Sequence, residues 1–144
     1  MPVLPETKLL DPVSPPPGYA LRRAANAMMA ILASRLAAID LRISDASVML
    51  LAAERDDMTS SEIGRVLDIQ RANMVPLLNR LESTGMIRRL PIDRKSQAIV
   101  LTDEGRSRLA QVDAITAQFE DELMARIPEE HRPHFMPTML ALMG

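Results

Sequence analysis

The side chains of this chain that are best suited to recognise another molecule lie between residues 59 and 95. Gln70, Arg71 and Asn73 stand close together, and amide and guanidinium groups are the types that form paired hydrogen bonds with adenine and guanine edges. Three hydroxyl side chains precede them at a predicted helix start, where hydroxyls and free N–H groups favour phosphate: Thr59, Ser60 and Ser61. The chemistry indicated is recognition of a nucleic acid.

The charge of the chain is unevenly distributed. The net charge is −2 over 144 residues, which by itself argues against a nucleic-acid partner. Between Arg65 and Lys95, however, seven basic residues face three acidic ones, so this segment carries 7 − 3 = +4 and the remainder −2 − 4 = −6. A basic face on an acidic body is typical of a protein that binds duplex DNA.

Other kinds of chemistry find little support in the sequence. The chain has no Cys, which excludes disulfides and thiolate metal sites. His131 and His134 lack a third ligand and Pro133 lies between them, so we predict no metal site. Glycine-rich loops and a catalytic set are absent from the sequence, and we expect neither an enzyme nor a cofactor. The longest apolar runs, such as 27–33, are too short for a bilayer, and we expect a soluble cytoplasmic protein that does not bind membranes.

Two predicted helices position the candidate recognition groups. Thr59-x-x-Glu62 matches a capping box, in which the Thr59 hydroxyl accepts from the first turn and Glu62 reaches back. The buried face of this first helix is predicted to contain Ile63, Val66 and Leu67. Asp68, which tolerates a left-handed backbone, marks the turn. The second helix is predicted over 71–84, with Met74, Leu77, Leu78 and Leu81 facing inward and Gly85 as the stop.

The flanking elements follow from periodicity and capping signals. We predict strands over 86–90 and 97–101 with a basic tip between them. Thr102 is expected to cap a long helix, and Pro128 to start a final one. Before the recognition segment, an apolar stripe predicts a long helix over 18–40, and Ser44 is expected to cap the next helix. The terminal helices are too apolar to be buried within one small chain, which favours a symmetric dimer.

Four short motifs, in this order and spacing, resemble the MarR family of regulators. They are the run Ser-Glu-Ile-Gly-Arg-Val-Leu at 61–67, Asn-Arg-Leu-Glu at 79–82 followed by Gly-Met-Ile at 85–87, the hairpin tip Asp-Arg-Lys-Ser at 93–96, and Leu-Thr-Asp-Glu-Gly at 101–105. The resemblance covers residues 17–144. It implies a mainly α fold with a small β-hairpin wing, in which a winged helix-turn-helix core is flanked by N- and C-terminal dimerisation helices.

The resemblance also implies domain boundaries and a function. We expect a flexible Pro-rich arm over 1–17 and a single domain over 18–144, with dimerisation helices at 18–42 and 103–144 and a DNA-binding lobe at 44–102. The implied function is that of a homodimeric transcription factor on a pseudo-palindromic operator in double-stranded DNA. Many such proteins are repressors released by a small aromatic, anionic or acyl-thioester effector.

An independent physical argument supports DNA contacts by the second helix and the wing. The N-terminal, outward side chains of a helix in the major groove reach base edges. The predicted contacts there are Gln70, Arg71, Asn73, Val75 and Pro76. Thr59, Ser60 and Ser61 are expected on phosphates, and Arg94 and Lys95 at the wing tip in the minor groove.

Two positions depart from the family pattern. The wing of the family usually reads Asp-x-Arg, and here Lys95 takes the place of the arginine with Arg94 beside it. Lysine lacks the planar fork of arginine, so the groove preference of the wing is open to change. Pro76 falls inside the second helix, where proline removes a backbone bond and costs about 3 kcal/mol. It either kinks the helix, contacts a thymine methyl group, or moves base recognition to Gln70 and Arg71.

Two further predictions concern support and ligand binding. Arg80 is interpreted as structural and is expected to pair with Asp93, bracing the wing. Five residues of the helices that would border a ligand crevice are candidates for lining it: Tyr19, Arg23, Met28, Arg42 and Met49. A plain core role for the methionines and a plain surface role for the arginines is the alternative, and it is favoured for each residue taken singly.

One alternative function remains open at this point. The fold could serve as a winged-helix module that binds another protein, with a Met-rich surface as the groove. Pro76 and the negative net charge favour it slightly. It predicts weak DNA affinity without sequence preference.

Overall fold

The computed structural model describes residues 9–144. Within that range the chain forms six α-helices, one short 3-10 helix and one antiparallel hairpin. In chain order these are α1 (Pro17–Ala37), α2 (Ile43–Glu54), α3 (Ser60–Leu67), α4 (Arg71–Ser83), β1 (Ile87–Pro91), β2 (Gln97–Leu101), α5 (Asp103–Arg126), the 3-10 helix (Glu129–His131) and α6 (Arg132–Met143). The expected mainly α fold with a small hairpin is confirmed. Most of the predicted 1–17 arm lies outside the described residues.

The core lies between α2, α4, the hairpin and the first half of α5. The four residues predicted to face inward on α4 are all buried, and so are Met49 of α2 and Ile63 of α3. Val66 contradicts the prediction for α3, because its side chain is 61% exposed. Because α3 has only eight residues, its buried face is narrow. That face consists of Ile63 and Gly64, and α3 packs against Met74 of α4 at Gly64.

The helix-turn-helix connection is set by local chemistry that the sequence predicts well. The Thr59 hydroxyl accepts the N–H of Glu62 at 3.2 Å, as expected for an N-cap. The other half of the predicted capping box is not formed: the Glu62 carboxylate accepts from the Thr59 hydroxyl at 3.4 Å and lies 3.4 Å from Arg55, rather than binding the Thr59 N–H. Asp68 has φ 54°, the left-handed conformation expected for the turn. Ile69 then donates its N–H to Gly64 at 2.8 Å and closes the end of α3.

The start of α2 corrects one prediction. The cap is not Ser44, because the helix begins at Ile43, two residues earlier than a Ser44 cap implies, and Arg42 occupies the cap position. The Asp45 carboxylate accepts the Arg42 N–H at 2.8 Å, so an acidic side chain in the first turn satisfies the entering backbone. Asp45 is nearly inaccessible to solvent, which distinguishes it from an ordinary surface cap.

The hairpin pairs Ile87 with Leu101 and Pro91 with Gln97. The first strand starts one residue later than predicted, because the N–H of Met86 closes the end of α4 by binding Leu81 at 2.9 Å. A bridge between Thr59 and Ala98 ties β2 to the start of α3. Thr102 caps α5 as expected, since its hydroxyl accepts the Gly105 N–H at 2.9 Å.

The flanking helices are packed more loosely. The first helix ends three residues before the predicted 40, and Asp40 adopts φ 59° in the turn that follows. The final helix starts at Arg132, after the 3-10 helix, rather than at Pro128. It places Pro133 in its first turn and contains no buried residue. None of the helices described between residues 9 and 144 is long and apolar enough to span a bilayer.

Candidate nucleic-acid interface

An open groove of about 1160 Å³ lies between α3, α4 and the hairpin. It brings together eight of the ten predicted contact residues: Thr59, Ser60, Ser61, Gln70, Arg71, Val75, Arg94 and Lys95. Asn73 and Pro76, the other two, are exposed on α4 outside the lining of the groove. Segments 35 residues apart in sequence therefore meet on one surface.

The start of α3 forms one wall of the groove. Thr59 directs its hydroxyl to the helix backbone, and its partly buried position is held by the bridge to β2. Ser60 and Ser61 follow at the first two helical positions, where backbone N–H groups lack helical acceptors. Ser61 is exposed and Ser60 is half-buried. This wall presents hydroxyl and N–H donors to any anion that enters the groove.

The start of α4 forms the floor. Gln70 is the N-cap residue and has an extended backbone. Its side-chain amide makes no capping hydrogen bond to the helix, so that amide is not occupied by the helix end. Arg71 follows, exposed, at the first helical position. An amide and a guanidinium group therefore lie at the helix end that would enter a major groove first.

The hairpin tip forms the opposite wall and has a defined shape. The Asp93 carboxylate accepts the backbone N–H groups of Lys95 at 2.8 Å and Ser96 at 2.9 Å. Ile92 donates its N–H to the Ser96 carbonyl at 3.0 Å, which closes the turn. Asp93 thus folds the tip. The side chains of Arg94 and Lys95 are exposed at its end and line the groove.

The predicted bracing pair of Arg80 and Asp93 is wrong. Arg80 instead donates to the Asp45 carboxylate at 2.5 Å, and the side chain of Asp45 is only 3% exposed. Because Asp45 also caps α2 at Arg42, one carboxylate joins the start of α2 to α4. The sequence suggested Asp93 by charge and proximity, but the Asp93 carboxylate accepts hydrogen bonds from the backbone of the hairpin tip.

Arg89 braces the wing instead, and sequence reasoning missed it. From β1 it donates to the Asn79 amide oxygen at 2.8 Å and lies 3.3 Å from the Glu82 carboxylate. Asn79 and Glu82 are three residues apart and share one face near the end of α4. A polar pair at this spacing, just before a strand with two arginines, was the sequence signal that could have predicted the contact.

The predicted ligand residues do not form one site. Tyr19 and Arg23 line a hollow of about 350 Å³ against residues 9–15, with the guanidinium 5.9 Å from the ring centre. Met49 is fully buried in the core, and Arg42 stands at the exposed start of α2. Met28 is half-buried on α1 outside the hollow. The crevice expected from all five residues is therefore not present in the described chain.

Charged side chains make three contacts in the elements that surround the interface. Arg35 of α1 donates to Glu122 of α5, and this guanidinium lowers the pKa of the Glu122 carboxyl. Near the start of α3, a hydrogen bond from Arg55 lowers the pKa of the Asp57 carboxyl. Arg108 of α5 donates to the backbone carbonyl of Ile39 and fastens the α1–α2 turn. None of these charges lies on the groove itself.

This geometry, two short helices joined by a tight turn and followed by a basic hairpin, defines a winged helix-turn-helix protein. The sequence pattern of the MarR family matches residues 41–96, which span the turn before α2 through the wing tip. Among curated relatives, the HTH-type transcriptional regulator PecS of Dickeya dadantii is 34% identical over 89 residues, which are 60% of this chain and 51% of PecS. The chain spans about half the length of the curated relatives it matches.

Solved structures extend the likeness to nearly the whole chain. The transcriptional repressor CouR, bound to a 23-mer DNA duplex, is 30% identical, and the alignment covers 89% of this chain and 92% of CouR with a TM-score of 0.78. A MarR family protein of Mycobacterium tuberculosis in complex with salicylic acid is 21% identical and shares the fold. The alignment covers 92% of this chain and 98% of that protein, with a TM-score of 0.69.

The chain belongs to the MarR family, as the four sequence motifs indicated. Members of this family are transcription regulators and not enzymes, which agrees with the expectation from the sequence.

Proposed function

We propose that the protein is a sequence-specific regulator of transcription that binds double-stranded DNA through the groove between α3, α4 and the hairpin. One observation carries this proposal: two helix starts and a basic hairpin tip, distant in sequence, line one open surface. A helix start fits the major groove, and a wing tip can reach the adjacent minor groove. In this arrangement Gln70 and Arg71 contact bases.

The charges of the groove support an anionic partner. Five basic residues line it, Arg65, Arg71, Arg89, Arg94 and Lys95, against three acidic ones, Glu62, Asp68 and Asp93. The Asp93 carboxylate accepts two backbone N–H groups, which compensate part of its charge. The exposed surplus is therefore basic even though the whole chain is acidic. Such a surface attracts phosphates and releases counterions on binding.

A homodimer belongs to the proposal, with 44–102 as the DNA-binding lobe and 18–42 and 103–144 as the dimerisation helices. The described parts of these helices expose large apolar side chains: Leu21, Met29, Met136, Leu140, Leu142 and Met143. Because α6 buries no residue within its own chain, a second copy would give its apolar side chains a partner. A two-fold dimer places two reading helices on a pseudo-palindromic operator.

We further propose that the protein is a cytoplasmic repressor released by a small aromatic, anionic or acyl-thioester ligand. Arg23 beside Tyr19 in the α1 hollow would suit an aromatic anion, and a fold neighbour binds salicylic acid. Salicylate added to a protein–DNA complex should then lower the anisotropy of labelled DNA. Arg23→Ala should abolish that response, whereas Arg22→Ala, a neighbouring exposed arginine outside the hollow, should keep it.

The DNA-binding proposal is tested by fluorescence anisotropy with DNA from upstream of the protein's own gene. Titrations at two salt concentrations are compared with a scrambled duplex of equal length. We expect tight binding that prefers the upstream duplex and falls steeply with salt, because each phosphate contact releases a counterion. Weak, equal binding to a broad set of genomic duplexes would contradict the proposal and favour a protein-binding module.

Point variants assign the contacts. Arg71→Ala should reduce the ratio of specific to non-specific affinity, by about 1 to 3 kcal/mol for a lost base contact. Arg94→Ala and Lys95→Ala should weaken binding to all duplexes and lower the salt slope by about one each. Arg126→Ala, at the far end of α5, is the matched control and should change neither quantity.

A further inference from the structure

The outward face of α4 is apolar over its middle turns. Met74, Leu77, Leu78 and Leu81 are buried, so the opposite side of the helix faces solvent. The exposed residues on this side include Ala72, Val75 and Pro76, at spacings of three and four that form one continuous patch. The Val75 side chain is 54% exposed, and it lines the groove.

Polar groups border this patch, and the exposed Asn73 of the first turn lies on its flank, outside the lining of the groove. Arg71 precedes it at the helix start. Asn79 follows it, but the Asn79 amide oxygen accepts a hydrogen bond from Arg89 at 2.8 Å. The side chains of Ala72, Val75 and Pro76 offer neither a donor nor an acceptor. A duplex lying on α4 would therefore meet hydrogen-bonding groups at the helix start and carbon atoms along the middle.

Neither packing nor helix stability accounts for Val75 and Pro76. Both are exposed, so neither belongs to the buried core of the chain. Valine has a lower helix propensity than most straight-chain residues, and an interior proline costs about 3 kcal/mol. The helix nevertheless continues through Pro76 to Ser83. Both side chains are also stiff, which suits a contact surface, because little conformational entropy is lost on binding.

We propose that Val75 and Pro76 recognise thymine by apolar contact with its 5-methyl group. This inference rests on the proposed DNA-binding function and specifies how the centre of each half-site is read. Among the edges exposed in the major groove, the thymine methyl is the apolar group, whereas the other base edges present donors and acceptors. Arg71 and Gln70 add hydrogen bonds at the helix start, so the half-site combines a polar end with a T-containing centre.

The test begins with full-length protein and duplexes selected from a random library. In the enriched duplex, each thymine is replaced in turn by deoxyuridine, which removes only the methyl group. We expect about fourfold weaker binding at one or two central positions of each half-site, the factor that corresponds to about 0.8 kcal/mol for one buried methyl group. Replacing a cytosine elsewhere in the half-site by 5-methylcytosine should have no such effect.

Paired valine variants assign the effect to the patch. Val75→Ala should bring the thymine-to-uracil affinity ratio at one central position close to one. Val66→Ala, a similarly exposed valine on α3 outside the groove lining, should leave every ratio unchanged. Pro76→Ala should act like Val75→Ala at the other position, while circular dichroism checks that the helix content is retained.

The possible outcomes distinguish a failure of the thymine methyl contact from a failure of the proposed DNA-binding function. An enriched duplex whose binding is indifferent to every thymine methyl would overturn the methyl contact and leave sequence-specific DNA binding intact. Unequal ratios that persist in both Val75→Ala and Pro76→Ala would also overturn it. Failure to enrich any duplex would instead overturn the proposed function itself, and the inference with it.

Discussion

The lobe from α2 to β2 and the terminal helices α1 and α6 treat their apolar side chains in opposite ways. The lobe buries Met49, Ile63, Met74 and their neighbours within its own chain. By contrast, α1 buries only Leu36, and α6 buries no residue at all. The lobe can therefore fix the shape of its groove within one chain, whereas α1 and α6 would need a second surface to cover their apolar side chains.

The charged contacts follow the same division. In the lobe, Asp45 is buried and joins two helices through Arg42 and Arg80. In the flanking helices, the pair between Arg35 and Glu122 is partly exposed to solvent. A buried pair is expensive to break and holds one geometry, while an exposed pair contributes little. Substitutions in the two regions should thus differ in the size and kind of their effects.

The largest effect is expected where α5 leaves the wing. A Cβ atom at Gly105 would lie 2.1 Å from the backbone carbonyl oxygen of Met86, which has no flexible end to move. Gly105→Ala should therefore lower the free energy of unfolding by about 4 kcal/mol, measured by urea denaturation. Gly18→Ala is the matched control, since nothing lies within 4 Å of that Cβ, and it should be neutral or slightly stabilising. Equal effects would show that the close approach does not limit α5.

The second effect concerns the buried carboxylate of the lobe. Asp45→Ala removes both the α2 cap and the partner of Arg80, and should cost about 3 kcal/mol of unfolding free energy. Asp45→Asn keeps an acceptor for the Arg42 N–H and should cost less. Asp113→Ala, at an exposed carboxylate of α5, is the control. A loss of DNA affinity in folded Asp45→Asn would show that the pair also orients α4.

The third prediction addresses the flanking helices. Leu140→Glu places a charge on α6 where a leucine is 58% exposed in the single chain. If a second copy covers it, dimer affinity should fall at least about tenfold, because a buried leucine contributes about 1.5 to 3 kcal/mol. Sedimentation equilibrium measures this change, with Val66→Glu on α3 as control. An unaltered dimer constant would place the interface elsewhere.

The smallest effect is expected at the pair between α1 and α5. Because Arg35 lowers the folded-state pKa of Glu122 below its ordinary value of 4.5, the pair stabilises the folded state above that pH and loses its contribution as pH falls through the lower folded value. The difference in urea midpoint between wild type and Glu122→Gln should thus be small at pH 7 and shrink towards pH 3. Glu120→Gln, an exposed neighbour, is the control. A difference that grows on acidification would contradict the assignment.

Local signals predicted the elements of the lobe closely. Thr59, Asp68 and Thr102 act as expected because a cap or a left-handed turn is decided by the residue and its immediate neighbours. The buried face of α4 followed from its period. The prediction that Val66 is buried was wrong, because α3 is too short for periodicity to decide which of its residues contact the core.

Partners across sequence distance were harder to predict. Arg80 was assigned to Asp93, yet it binds Asp45, 35 residues earlier. Arg89 was counted only as a positive charge, although it joins the hairpin to α4 through Asn79. Charge and proximity in sequence suggest that a pair exists, but the choice among several carboxylates depends on how helices cross. The packing of the helices also decides why the five predicted ligand residues do not share one site: Tyr19 and Arg23 line the α1 hollow, whereas Met49 is buried in the core.

Caps and hydrophobic period were therefore sufficient for the order of elements and the residue types of the candidate interface, since these depend on interactions within a few residues. The family followed from the resemblance of four short motifs. The groove itself, its wall of α3 hydroxyls against the Arg94 and Lys95 tip, exists only once the chain is packed. Tertiary structure also selected the ion partners and left the middle of α4 exposed and apolar. Long-range packing makes these choices because it is the buried core, and not the local chain, that sets the distances between helices.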